Sequence, residues 1–219
     1  MTGGESSIGI CYSYGMSANA PQSRSARKTA ATREAIIDAA QALLEEGGPA
    51  ALTLPAVSDR ADVALQTIYN RVGGRDALML AVAERALEAN RVYMDKAYAA
   101  PGTPIERIQR AAAAYARFAA ERPHQFRLMA DPPNEPEAVE RIADLIHQQN
   151  SKLADAIRDG ITQGFIRPDI DPDLTARALW AMSNAILGLA WRNDRHRTDP
   201  DTLLPLFATI VTDGLAPRP

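Results

Sequence analysis

From Ala30 to the C-terminus, apolar residues recur at intervals of three and four, and nowhere does a strand's length of sequence alternate with period two. A chain patterned this way buries one stripe of each segment by packing helix against helix. Alanine, the residue that gives up least on entering a helix, fills 41 of 219 positions, and β-branched runs are few. The pattern predicts an all-α fold. Breakers divide it at Gly47, Gly48 and Pro49; Gly73 and Gly74; Pro101 and Gly102; Pro123; Pro132, Pro133 and Pro136; Gly164 with Pro168; Pro172; and Pro200. About nine helices follow.

Composition removes several function classes. At 46% hydrophobic and 23% charged residues the chain is globular and far from a disordered composition. Its apolar runs, such as Ala111 to Ala114 and Ile186 to Ala190, are too short to span a bilayer, so no membrane partner is expected. The lone cysteine, Cys11, forms no internal disulfide or cysteine-rich metal site, which suits the cytoplasm. His124, His147 and His196 lie far apart, so neither a metal nor a cofactor is expected. The net charge of -3 requires any nucleic-acid contact to come from a local patch.

Helix one is predicted from about Ala30 to Glu46, with Ile36, Ile37, Ala40, Leu43 and Leu44 on its buried stripe. Thr53 reads as an N-cap with Pro55 in the first turn, opening a short helix through Val57 to Arg60. After the turn Ala61, Asp62, Val63, a second short helix covers about Ala64 to Asn70. Two short helices across a tight turn are the layout of a helix-turn-helix, whose second helix enters the major groove. Val57, Ala61, Val63, Ile68 and Val72 form one apolar face, so Leu65, Gln66, Thr67, Asn70 and Arg71 project outward. Taken singly, such polar residues are those of any helical surface.

The stretch from Arg33 to Leu78 resembles, without a gap, the DNA-binding pattern of the TetR family of bacterial transcriptional repressors. Ala40, Gly48, Thr53, Val57, Ala61, Val63, Thr67, Ile68, Tyr69, Val72, Arg75, Asp76 and Leu78 carry the resemblance. It implies an N-terminal three-helix helix-turn-helix domain over residues 29–75, preceded by a flexible arm over 1–28. A larger helical domain for ligand binding and dimerisation follows over 76–219. Gln66 and Asn70, four apart on one face, present amides suited to adenine N6 and N7. Thr67 suits a thymine methyl or a phosphate. The resemblance makes Tyr69 a phosphate contact and Thr53 and Arg75 anchors at helix N-termini. Asp62 departs from the family's turn glycine, Arg75 from its lysine, and Gln66 from a smaller residue.

The basic residues Arg24, Arg27, Lys28 and Arg33 fit either an arm tracking the minor groove or a solvated tail. No secretory signal is expected, and Met16 offers a second candidate start. Further helices are predicted over about Asp76–Ala99, Pro104–Glu121, Pro123–Ala130, Glu135–Gln163, Pro172–Trp191 and Pro200–Asp213. The last two, with Ala178, Ala181, Ala185 and Gly188, imply a homodimer that meets a palindromic operator in double-stranded DNA. Tyr115, Phe118, Phe126, Met129, His147, Trp180, Met182 and Asn184 lie on helices that surround the family's pocket, as candidates for an apolar or aromatic effector. Residues of these types at helical spacing also fill ordinary cores. The expected function is a repressor released by a ligand. Alternatives are a constitutive or architectural DNA-binding protein, or a helical carrier or enzyme, although no catalytic motif is present.

Overall fold

The computed structural model describes residues 23–132 and 136–218, with the side chains of 136–139 outside that description. Cys11, Met16 and the rest of the arm up to residue 22 fall outside it too. Among the described residues there are nine α-helices, one 3₁₀ turn and no strand.

The N-terminal unit comprises α1 (Arg24–Gly47), α2 (Leu54–Ala61) and α3 (Leu65–Arg71). α1 begins six residues before Ala30, which corrects the reading of residues 24–28 as arm. Ser23 Oγ accepts the Ala26 N–H at 3.1 Å and caps the helix. Its first turn holds no acidic residue, and Arg24, Arg27 and Lys28 stand against the positive end of the helix dipole. That unfavourable charge order hid the start in the sequence. At the other end Gly48, at φ 67°, turns the chain out of the helix while its N–H donates to Leu44 O at 2.8 Å.

Thr53 caps α2, its hydroxyl accepting the Ala56 N–H at 3.4 Å. Asp62 then takes a left-handed conformation, φ 50° and ψ 50°, which makes the tight turn into α3. The turn is locked from both sides. Ser58 Oγ donates to Val63 O at 2.6 Å, and Val63 N–H donates to Ser58 O at 3.1 Å. Arg60 donates two hydrogen bonds to the Glu46 carboxylate, at 2.7 and 2.5 Å, fixing α2 to the end of α1.

The larger unit comprises α4 (Arg75–Ala99), α5 (Pro104–Glu121), α6 (Pro123–Ala130), α7 (Pro136–Thr162), α8 (Pro172–Gly188) and α9 (Pro200–Leu215). The predicted helix to Trp191 instead tightens into a 3₁₀ turn over Leu189–Trp191. Thr103 and Glu106 form a reciprocal capping box at the start of α5. Arg85 of α4 pairs with Glu34 and Asp38 of α1. One core runs through both units: Ile36, Leu44, Val57, Ile68 and Leu78 are continuous with Leu87, Phe118 and Phe126. A second cluster, including Ile108, Ile157, Ile166, Leu179 and Leu215, fills the far end of the body. The helix-turn-helix therefore packs directly against the wall of the body behind it.

Candidate nucleic-acid interface and effector cavity

On α3, Ile68 is fully buried, and Val63 and Val72 pack against the core beside it. This fixes the rotation of the helix. Leu65, Gln66, Tyr69, Asn70 and Arg71 consequently face outward, with Tyr69 49% exposed. Thr67 differs from the expectation: it is half-buried, because it sits on the flank of α3 next to Ile68. Gln66 Nε2 donates to Asn70 Oδ1 at 3.1 Å. That bond leaves a Gln66 oxygen acceptor and the Asn70 amide donor side by side, the pair that adenine's major-groove edge requires. Sequence spacing placed the two amides together but did not show that they bond to each other.

Thr53 is exposed at the start of α2. Neither α3 nor α4 has a side-chain cap; in the first turn of α3 the Thr67 N–H donates instead to Ala64 O at 2.8 Å, and Asp76 stands in the first turn of α4. Arg75 behaves differently from a free phosphate contact. Its Nε donates to Leu52 O and its guanidinium to Pro49 O, both at 3.1 Å, bracing the loop that leads into α2. The fork that distinguishes Arg from Lys is what allows one side chain to hold two carbonyls.

The body contains a cavity of about 730 Å³ between α4, α5, α7, α8 and α9. Tyr115 and Trp180 line it, as the sequence suggested. The other candidates do not. Phe118, Phe126 and Met129 are buried in the shared core, and Phe126 stacks edge-on with Tyr115 at 5.4 Å behind the cavity wall. His147 borders a separate hollow of about 290 Å³ with Asp173, Arg177 and Trp180. Asn184 accepts the Tyr115 hydroxyl at 2.7 Å and supports the wall from outside, while Met182 is exposed. Helical periodicity identifies an inward stripe but cannot distinguish a residue packed against protein from one facing a void.

Comparison with known proteins accounts for this pairing of head and body. Residues 36–82 match the bacterial regulatory proteins of the tetR family, and residues 101–215 match the tetracyclin repressor-like C-terminal domain. The chain belongs to the TetR family. Within the family, it is similar to the HTH-type transcriptional repressor KstR of Mycolicibacterium smegmatis, with 36% identity over 76 residues. That alignment covers 35% of this chain and 37% of the repressor, so the chain spans about a third of the relative it matches. A solved structure of a protein with unknown function from Rhodococcus sp. RHA1 superposes with a TM-score of 0.71 at 22% identity, covering 84% of this chain and 95% of that one. The fatty acid degradation regulator FadR from Bacillus halodurans does so with a TM-score of 0.68 at 14% identity, covering 83% and 94%. The likeness to these structures is one of fold.

TetR-family proteins are regulators rather than enzymes, which removes the enzyme alternative. Thr53, Leu65, Gln66, Thr67, Tyr69, Asn70 and Arg75 fall in the N-terminal family match, and Tyr115 and Trp180 in the C-terminal one. Met94 and Tyr98, which also line the cavity, lie between the two matched segments. Sequence reasoning missed them, together with Trp191, Phe207 and the alanines of α5. The run Ala111–Ala114 was the available signal, since small residues on a helix flanked by large ones leave space.

Proposed function

We propose that this TetR-family protein is a sequence-specific DNA-binding repressor that acts as a homodimer on a palindromic operator and is released by an apolar small molecule. The observation that carries the reading is the seating of α3, where buried Ile68 sets the helix so that the Gln66–Asn70 pair and Tyr69 face outward together. Base readout needs such rigidity, because a side chain that wanders loses the geometry of a paired contact.

The dimer reading rests on an apolar face of the last two long helices. Leu174, Ala178, Ala181, Met182 and Ala185 form an exposed stripe on α8, and Leu206 and Ile210 continue it on α9, the last two 57% and 60% exposed. A second copy of the chain covers such a face by twofold symmetry and sets the distance between two reading helices. Arg24, Arg27 and Lys28 lie on one side of the first turns of α1, where they add sequence-independent attraction to the duplex.

The cavity and α3 share one packed core, which supplies a route for release. At its head end α6 meets α1: Gln125 donates to the Glu45 carboxylate, and the His124 ring sits where a Cβ on Gly48 would be only 3.2 Å away. A ligand that binds better to a body with α6 displaced shifts the population toward a head spacing the operator does not fit. The names of the relatives agree with an apolar effector, KstR2 of Mycobacterium tuberculosis being a ketosteroid transcriptional regulator and FadR a regulator of fatty acid degradation. Selection of bound sequences from random duplex DNA at a fixed moderate salt concentration tests the proposal. Recovery of one palindrome is expected; a folded protein that enriches no sequence refutes it, and salt-sensitive binding without sequence preference favours the architectural alternative.

A further inference from the structure

The cavity extends along α5 from Ile105 to Ala120, a length of about 20 Å at the rise of an α-helix. Its α5 wall is an alanine surface that includes Ala112, Ala113 and Ala116, and α9 faces it with Phe207 and Val211. A ligand there is flanked on both sides by apolar groups along most of its length. The charged residues at its edge, Arg117, Asp199 and Asp201, are all exposed, and Arg117 already lies near Glu121 and over the Tyr93 ring. An ionised group carried inward would therefore lose its hydration without gaining a counterion.

Some polar groups on the wall are already hydrogen-bonded within the protein. Tyr115 donates to Asn184 at 2.7 Å, and Ser183 donates to Leu179 O at 2.8 Å. Tyr98, like Asn150, is half-buried on the wall without such a bond among the described residues. It lies toward the far end of the cavity beside Ile105, Ile108 and Leu215, and burial alone acts on its hydroxyl, with no hydrogen bond from a described residue. Half-buried rather than sealed, the phenol can donate to an acceptor that enters the cavity in place of water.

We infer that the cavity takes an elongated, uncharged, largely apolar molecule bearing a carbonyl, ether or hydroxyl oxygen, and that the Tyr98 hydroxyl anchors it by donating a hydrogen bond to that oxygen. The inference deepens the effector reading above and rests on it only for its regulatory meaning. Both tryptophans of the chain, Trp180 and Trp191, line the cavity, so their emission reports occupancy directly.

The test titrates the full chain, free of DNA, with 2-decanone and with decanoate while tryptophan fluorescence is followed. 2-Decanone is expected to give a saturable shift, with decanoate binding at least about tenfold more weakly. Tyr98→Phe, which keeps the ring and removes the donor, is expected to weaken 2-decanone by about five- to tenfold. Ala112→Phe, at an exposed position on the cavity wall, is expected to weaken both probes by filling space. No saturable shift in the unmodified protein, decanoate binding as tightly as the ketone, or unchanged ketone affinity in Tyr98→Phe would each overturn the inference. Because no DNA is present, these outcomes leave the operator reading untouched, and failure to enrich a palindrome leaves this result standing.

Discussion

Replacing Arg75 distinguishes two roles that the sequence alone merges. If Arg75 chiefly braces the loop before α2, Arg75→Ala removes one part-buried and one exposed hydrogen bond from a cationic donor. Charge-assisted bonds contribute about 1.5–3 kcal/mol when sheltered and well under 1 kcal/mol when exposed, so the total loss is about 2 kcal/mol. For a chain of this length that lowers Tm by about 4–8 °C. Arg75→Lys keeps the charge but offers a point donor that reaches only one carbonyl, so its Tm should fall about half as far. The assay pairs thermal unfolding by circular dichroism with operator affinity measured across a salt series. Bracing predicts a lower Tm and weaker binding with an unchanged salt slope. A direct phosphate contact predicts the reverse, an unchanged Tm and a slope shallower by about 0.9. That second result would refute the bracing role.

Gln66→Ala or Asn70→Ala should change which operator sequences are preferred, costing about 1–3 kcal/mol at one base pair, and an equal loss on every sequence would show that the pair does not read bases. Leu206→Glu combined with Ile210→Glu should convert a dimer into a folded monomer by sedimentation and abolish tight operator binding, whereas a dimer that survives places the interface elsewhere. Asn90 is fully buried on α4, and neither atom of its amide has a partner among the described residues. Asn90→Leu should therefore raise stability to urea by about 1–2 kcal/mol, and a destabilised variant would reveal a hydrogen bond to that amide.

Much of this architecture was written locally. Pro104, Pro123, Pro172 and Pro200 each open a helix near the position expected, because a proline suits the first turn and its missing N–H costs nothing there. The start of α1 was the exception, since its basic first turn contradicts the dipole rule while Ser23 and good helix formers carry the helix anyway. The outward face of α3 was also legible, because Ile68, with Val72 four residues on, marks its buried side through spacing alone.

What the sequence determined by itself was the helical class, the helix boundaries set by caps and breakers, and which face of the reading helix is polar. These depend on residues within a few positions of one another. The tertiary structure alone decided that Arg75 reaches back to Pro49 and Leu52, that Phe118 and Phe126 pack as core, and that Tyr98 lines a void. Each of those depends on how distant helices meet, and a periodic apolar stripe carries the same signal whether the space opposite it is filled by another side chain or left open for a ligand.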